Sequence, residues 1–164
     1  MNVYLLFKWL HELAAFWFIA GIIGRQLTRA QARKSSDIHN FIALTGLAGR
    51  FETLMVIPGN MLVIVLGVIV GLLGNWPILG FLQGATKNWL LVTNFILVAG
   101  FFLVPLVYLP RGKIFEARLA EAEKSGQVTP ELLACVDDPV VRWAHWGEYA
   151  ALMFIVFLMA LKPF

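Results

Sequence analysis

Three ionisable residues stand where hydrocarbon-facing side chains are expected. Lys8, His11 and Glu12 interrupt the first apolar stretch, Val3 to Gly24. A stretch of that length crosses a bilayer as a helix, which takes roughly 20 residues. Charge inside hydrocarbon is costly, so groups kept there need a partner or a task. Lys8 and Glu12 are four apart on one face, able to neutralise each other and snorkel outward. With the stretch centred on the bilayer, His11 lies only about 4 Å from the midplane at the helical rise per residue. His11, Ala15, Phe18, Ile22 and Arg25 form one stripe, which should face a helical neighbour or a cavity. Two roles are open to the imidazole: a hydrogen bond to a neighbouring helix, or ligation of a metal or haem iron.

A second polar patch opens the last apolar stretch. Arg142, His145 and Tyr149 recur at spacings of three and four, with Glu148 beside them. Arg50, Glu52, Tyr108 and Arg111 should lie at the same level. Such a group reads either as an interfacial ring of ion pairs or as a substrate, propionate or proton site built from Arg142, Arg25, His145 and Glu148. Depth separates the two histidines by about 15 Å along the membrane normal, too far for both to ligate one iron. Met61 and Met153 fall nearer the centre and are the better candidates for a second ligand; core packing is the alternative for both. Asn94 is nearly level with His11, in a series with Lys87, Phe101 and Tyr108 that recurs every seven residues. It would either bridge helices or orient His11. His39 lies in a charged connection and should be solvated. No Ser/His/Asp arrangement, phosphate loop or dinucleotide fingerprint is present in the sequence.

The elements that must position these groups are four apolar spans, about 3–24, 53–73, 89–110 and 143–161. The first should continue as a polar helix through Arg25, Arg29 and Arg33. The second begins amphipathic, from Phe41 to Phe51, and Pro58-Gly59 should kink it. Gly74-Asn75-Trp76-Pro77 ends it, and Ile78 to Thr86 reads as a loop dipping at the interface. Lys113 to Lys124, with alternating charge, should project into water as a helix ended by Ser125-Gly126. Thr129-Pro130 and Asp138-Pro139 each pair an N-cap with proline at the first helical position.

Composition agrees: 60% of the 164 residues are hydrophobic and 14% charged, so no soluble domain is expected beside the spans. The reading is a single membrane domain over 1–164, all-α, folded as an antiparallel four-helix bundle. Lysine and arginine cluster in the first and third connections, which places those in the cytoplasm and both termini on the outer, periplasmic side. Trp9, Trp76, Trp89, Trp143 and Trp146 fall near span ends as interfacial anchors. Cys135 is the only cysteine, so an internal disulfide and a CxxC site are excluded. No basic, aromatic-interleaved patch points to nucleic acid. The N-terminus lacks the basic region and cleavage site of a signal peptide. Gly67 and Gly71 form a small-xxx-small pair suited to close packing, inside the bundle or in a homodimer or larger membrane complex.

Lys8-Trp9-Leu10-His11, then Phe16-Trp17, Gly21 and Arg25, resemble the first helix of HemJ-type membrane proteins. Asn88-Trp89-Leu90, Arg142-Trp143 and Lys162-Pro163-Phe164 resemble parts of that family's third and last helices. The layout is also similar to CopD-type membrane domains and to a bacterial group of four-span integral membrane proteins of unknown function. The chain departs from HemJ at Leu91 to Asn94, where that family carries a lysine, and at His145-Trp146-Gly147-Glu148. The resemblance implies a haem b-binding redox protein acting on a porphyrin, with His11 as axial ligand, Arg25 and Arg142 as basic positions, and a bacterial inner-membrane location. The alternative is a non-catalytic scaffold or accessory subunit. Copper handling is a third reading, poorly served by one buried histidine and scattered methionines.

Overall fold

The computed structural model describes residues 2–164, and these are helical throughout, with short connections. Four of its helical stretches are long and apolar enough to cross a membrane: Val3–Ala32, Ile38–Leu73, Trp89–Ser125 and Pro130–Leu161. Helix α1 (Val3–Ala32) carries the first span and its polar extension. Helix α2 (Ile38–Phe51) runs through a π-helical turn, Glu52–Val56, into α3 (Ile57–Leu73). Helix α4 (Trp89–Leu103) passes through a second π turn, Val104–Tyr108, into α5 (Leu109–Ser125). Short α6 (Pro130–Val136) precedes α7 (Pro139–Leu161).

The caps at Thr129 and Asp138 are those expected above, and Asp37 caps α2 in the same way. Asp37 accepts from the Asn40 N–H at 2.8 Å, Thr129 from Leu132 at 3.3 Å and Asp138 from Val140 at 2.7 Å. Each satisfies an N–H that the first helical turn leaves unpaired. Gly126 ends α5 with φ of 72°, a conformation that glycine adopts without strain.

The expected kink at Pro58 takes a different form. Proline has no N–H, so the carbonyl one turn back, Leu54, loses its α-helical partner. The backbone widens into the π turn just before it, with the Ile57 N–H reaching Glu52 O. The Trp17 indole N–H donates to the Leu54 carbonyl at 3.3 Å, filling the place the proline left. Pro105 stands inside the second π turn, where the Leu109 N–H reaches Val104 O.

The helices fall into two compact units: Met1–Trp76 with Gly126–Val128, and Pro77–Ser125 with Thr129–Phe164. In the first, α1 packs along α2, the π turn and α3. The pairing is antiparallel: Arg25 meets Glu52, the backbone of Phe18 lies against Gly59, His11 meets Val63 and Gly67, and Tyr4 approaches Gly74. Glycine is required at Gly59, where a Cβ would stand 3.0 Å from Phe18 Cα. Such close approach of backbones is how membrane helices gain packing energy without a hydrophobic drive. In the second unit α4 packs on α7, and α5 on α6. Here Tyr108 meets His145 and Arg111 meets Asp138, while the Asn88 and Trp89 N–H groups donate to the Phe164 carbonyl at 3.0 and 3.1 Å. This pair is antiparallel too.

Candidate functional site

In the first unit the imidazole of His11 is seated against α3. Its Nδ1 lies 3.0 Å from the Val63 carbonyl oxygen. A Cβ on Gly67, one turn further along α3, would stand 3.0 Å from the ring's Cε1 and 3.9 Å from Nε2. Gly67 is thus a notch into which the ring fits. A carbonyl can only accept, so this contact assigns the proton to Nδ1 and leaves Nε2 with its lone pair. Nε2 has no hydrogen-bond partner among the described residues. One ring nitrogen is thus engaged by a carbonyl of the neighbouring helix, an interhelical hydrogen bond that links α1 to α3.

The flanking charges behave as a separate pair. Lys8 Nζ and Glu12 Oε1 are 3.8 Å apart, with both side chains half exposed. Arg25 lies 14 residues from His11, about 21 Å along the helix. It is buried, and its Nη1 donates to Glu52 Oε2 at 2.5 Å. Glu52 opens the π turn, so the widened backbone sets the acceptor opposite the arginine. Met61 lies two residues from Val63, about 200° around α3, and is largely exposed on the side away from His11.

In the second unit His145 is buried against Tyr108, their rings stacked with centroids 5.2 Å apart. His145 Nδ1 is 3.3 Å from the Tyr108 hydroxyl and 3.0 Å from Glu148 Oε2. A proton on Nδ1 serves the carboxylate, one turn along the same helix. The rings of Tyr149 and Trp146 meet edge to face, with centroids 6.1 Å apart. Arg142 is exposed and forms no ion pair among the described residues. Met153 is exposed as well. Arg111 Nε donates to Asp138 Oδ2 at 2.9 Å, tying α5 to the start of α7. Asn94 Nδ2 donates to the Ile78 carbonyl at 3.1 Å, holding the loop that precedes α4.

Of the expected patch, Glu52 belongs to the first unit and Arg142, His145, Glu148 and Tyr149 to the second. Glu52 serves Arg25 in the first unit; His145 and Glu148 form a cluster with Tyr108 in the second. Gly67 stands out in the sequence as half of a small-xxx-small pair, but its pairing with His11, and the Val63 carbonyl, do not. A carbonyl has no sequence signature, but Gly67, seven residues ahead of Gly74 and eight beyond Gly59, lies on the glycine-lined side of α3 and could have been placed. Among the described residues no three His, Cys, Asp or Glu side chains gather as a metal-binding group.

No curated protein and no solved structure matches the chain. A family model does, over residues 5–163, described as a predicted integral membrane protein. The match takes in the whole of the polar machinery described above. The chain is accordingly a multi-pass integral membrane protein and belongs to the DUF2269 family.

Proposed function

We propose that this protein is a haem-binding membrane protein of redox type, with His11 Nε2 as the axial ligand. The observation that carries the reading is the His11 Nδ1 contact with the Val63 carbonyl. It fixes the tautomer and the ring plane, and leaves the other nitrogen basic in a part of the chain where an unassigned imidazole is costly. The donor set fits a haem iron, which brings four ring nitrogens of its own and needs a single protein ligand. It does not fit a bare copper ion, which would need several soft or imidazole ligands together. A bound haem would supply electron transfer; the chain would supply ligation, burial and orientation. Porphyrin as ligand or substrate follows from the same reading. Arg25, engaged by Glu52 and about 21 Å away along α1, is not assigned to the propionates.

A second reading is supported by Gly67. The ring fills the notch and links α1 to α3, which suits a non-catalytic scaffold or accessory subunit whose polar groups set helix register. The absorbance spectrum of protein purified from haem-replete cells separates the two. The haem reading expects a Soret band that is lost in His11→Ala while size-exclusion elution and helical circular dichroism are kept. Colourless wild-type protein, or a band indifferent to His11→Ala, overturns it and leaves the scaffold. We place the protein in a bacterial inner membrane with both termini outside, on the strength of its lysine and arginine distribution.

A further inference from the structure

Arg50 stands between two hollows on the outer face of the first unit. One, about 280 Å³, is lined by Trp17, Leu47, Phe51, Leu54 and Met55 together with Arg50. The other, about 360 Å³, is lined by Ile42, Ala43, Gly46 and Leu47, again with Arg50. Leu47 and Arg50 belong to both, so the two shallow hollows adjoin along this face, with Arg50 where they meet. Helical periodicity builds it: Ala43, Gly46, Leu47, Arg50 and Leu54 follow spacings of three and four along one face of α2 and the π turn. The indole of Trp17 forms the far wall, fixed by its bond to the Leu54 carbonyl.

The two halves differ in surroundings. Beyond Arg50 the chain enters the fully apolar α3, so the Trp17–Leu54 hollow lies on the hydrocarbon side. Before Arg50 comes the amphipathic start of α2 and the connection bearing Arg29, Arg33 and Lys34. Arg50 itself is exposed, and its side chain has no ion pair or hydrogen bond among the described residues. The nearest acid in sequence, Glu52, is held by Arg25. An arginine at this depth keeps its stem on apolar surface and its head toward the polar boundary, where it needs an anion.

We propose that these adjoining hollows bind one anionic phospholipid, its phosphate on Arg50, an acyl chain along Trp17 and Leu54, and its headgroup over Gly46. A cation flanked on one side by an apolar hollow and on the other by a polar-facing one matches the order chain, phosphate, headgroup. The basic connection disfavours a choline cation and favours an uncharged or anionic headgroup. The site does not depend on the reading of His11.

The test is native mass spectrometry of the full chain released from an equal mixture of phosphatidylglycerol and phosphatidylcholine. One phosphatidylglycerol should be retained preferentially. Arg50→Gln should lower its retention by about fivefold, the weight of one basic residue at a membrane surface. Gly46→Phe should lower it as much by filling the hollow. A Cβ at Gly46 meets nothing of the protein within 4 Å, so this variant should fold, as circular dichroism checks, and it decides the matter even where Arg50→Gln fails to fold. Equal retention of the two lipids, or retention unchanged in Gly46→Phe, overturns the proposal. So does displacement of the lipid by millimolar inorganic phosphate, which would mark a site for free anion.

Discussion

At the scale of single residues, two glycines on α3 do different work, and the difference is measurable. Gly59 faces backbone: a methyl there would meet Phe18 Cα at 3.0 Å. Gly67 faces a side chain: a methyl there would meet the His11 ring at the same distance. Backbone in a packed helix pair cannot step aside, whereas an imidazole can rotate. Gly59→Ala should therefore cost about 1–3 kcal/mol of stability, the usual cost of overpacking, seen as a lowered melting temperature in detergent. Gly67→Ala should cost less but displace the imidazole from the Val63 carbonyl. Equal melting temperatures for the two variants would contradict this assignment. The sequence indicated that His11 needs a partner, because its depth follows from counting residues. It did not indicate which partner, because a backbone carbonyl one helix away leaves no mark in residue type. Asn94 shows the same limit: periodicity gives its level and face, not the Ile78 carbonyl to which its amide donates.

At the scale of elements, caps and span ends were legible because their chemistry is local. Asp37, Thr129 and Asp138 act within three residues of themselves. The π turns were not legible: Pro58 and Pro105 announce a disturbance, but whether the backbone bends or widens depends on what can reach the freed carbonyl. Trp17 decides it at Leu54. Asp138 carries a prediction at this scale. It lies ahead of the apolar part of α7. Partial burial pushes its carboxyl up, but the Val140 and Val141 N–H groups and Arg111 outweigh that and hold it below the ordinary aspartate value. A depressed carboxyl stabilises the fold above its unfolded-state pKa, about 4, and the contribution disappears as pH falls through its lower folded-state value. Asp138→Ala should cost about 1 kcal/mol near neutrality, as lost caps do. Below pH 4 the gap between wild type and variant should narrow. Thermal unfolding followed by circular dichroism across that range checks it; a gap that widens with acid would reverse the sign and the assignment.

At the scale of the whole molecule, the four apolar helices were legible from composition and length, and the structure presents each within an antiparallel pair. An even number of spans puts both termini on one side. Which side is a matter of charge. The first connection is bounded by Arg29, Arg33 and Lys34, and the third holds Lys113, Arg118 and Lys124, against Lys87 alone in the second. Short loops rich in lysine and arginine stay on the cytoplasmic face, since moving them across costs charge transfer against the membrane potential. The chain carries its own reporter of the outcome. Cys135 is its only cysteine, partly exposed on α6 within the third connection. A membrane-impermeant maleimide should label it in inverted vesicles and not in intact cells, with detergent permeabilisation restoring the signal in the cells. Thr86→Cys, exposed in the second connection and made in a Cys135→Ser background, should give the opposite pattern. Labelling of Cys135 from the outside of intact cells would invert the topology, and with it the side from which any partner of the basic connections must approach.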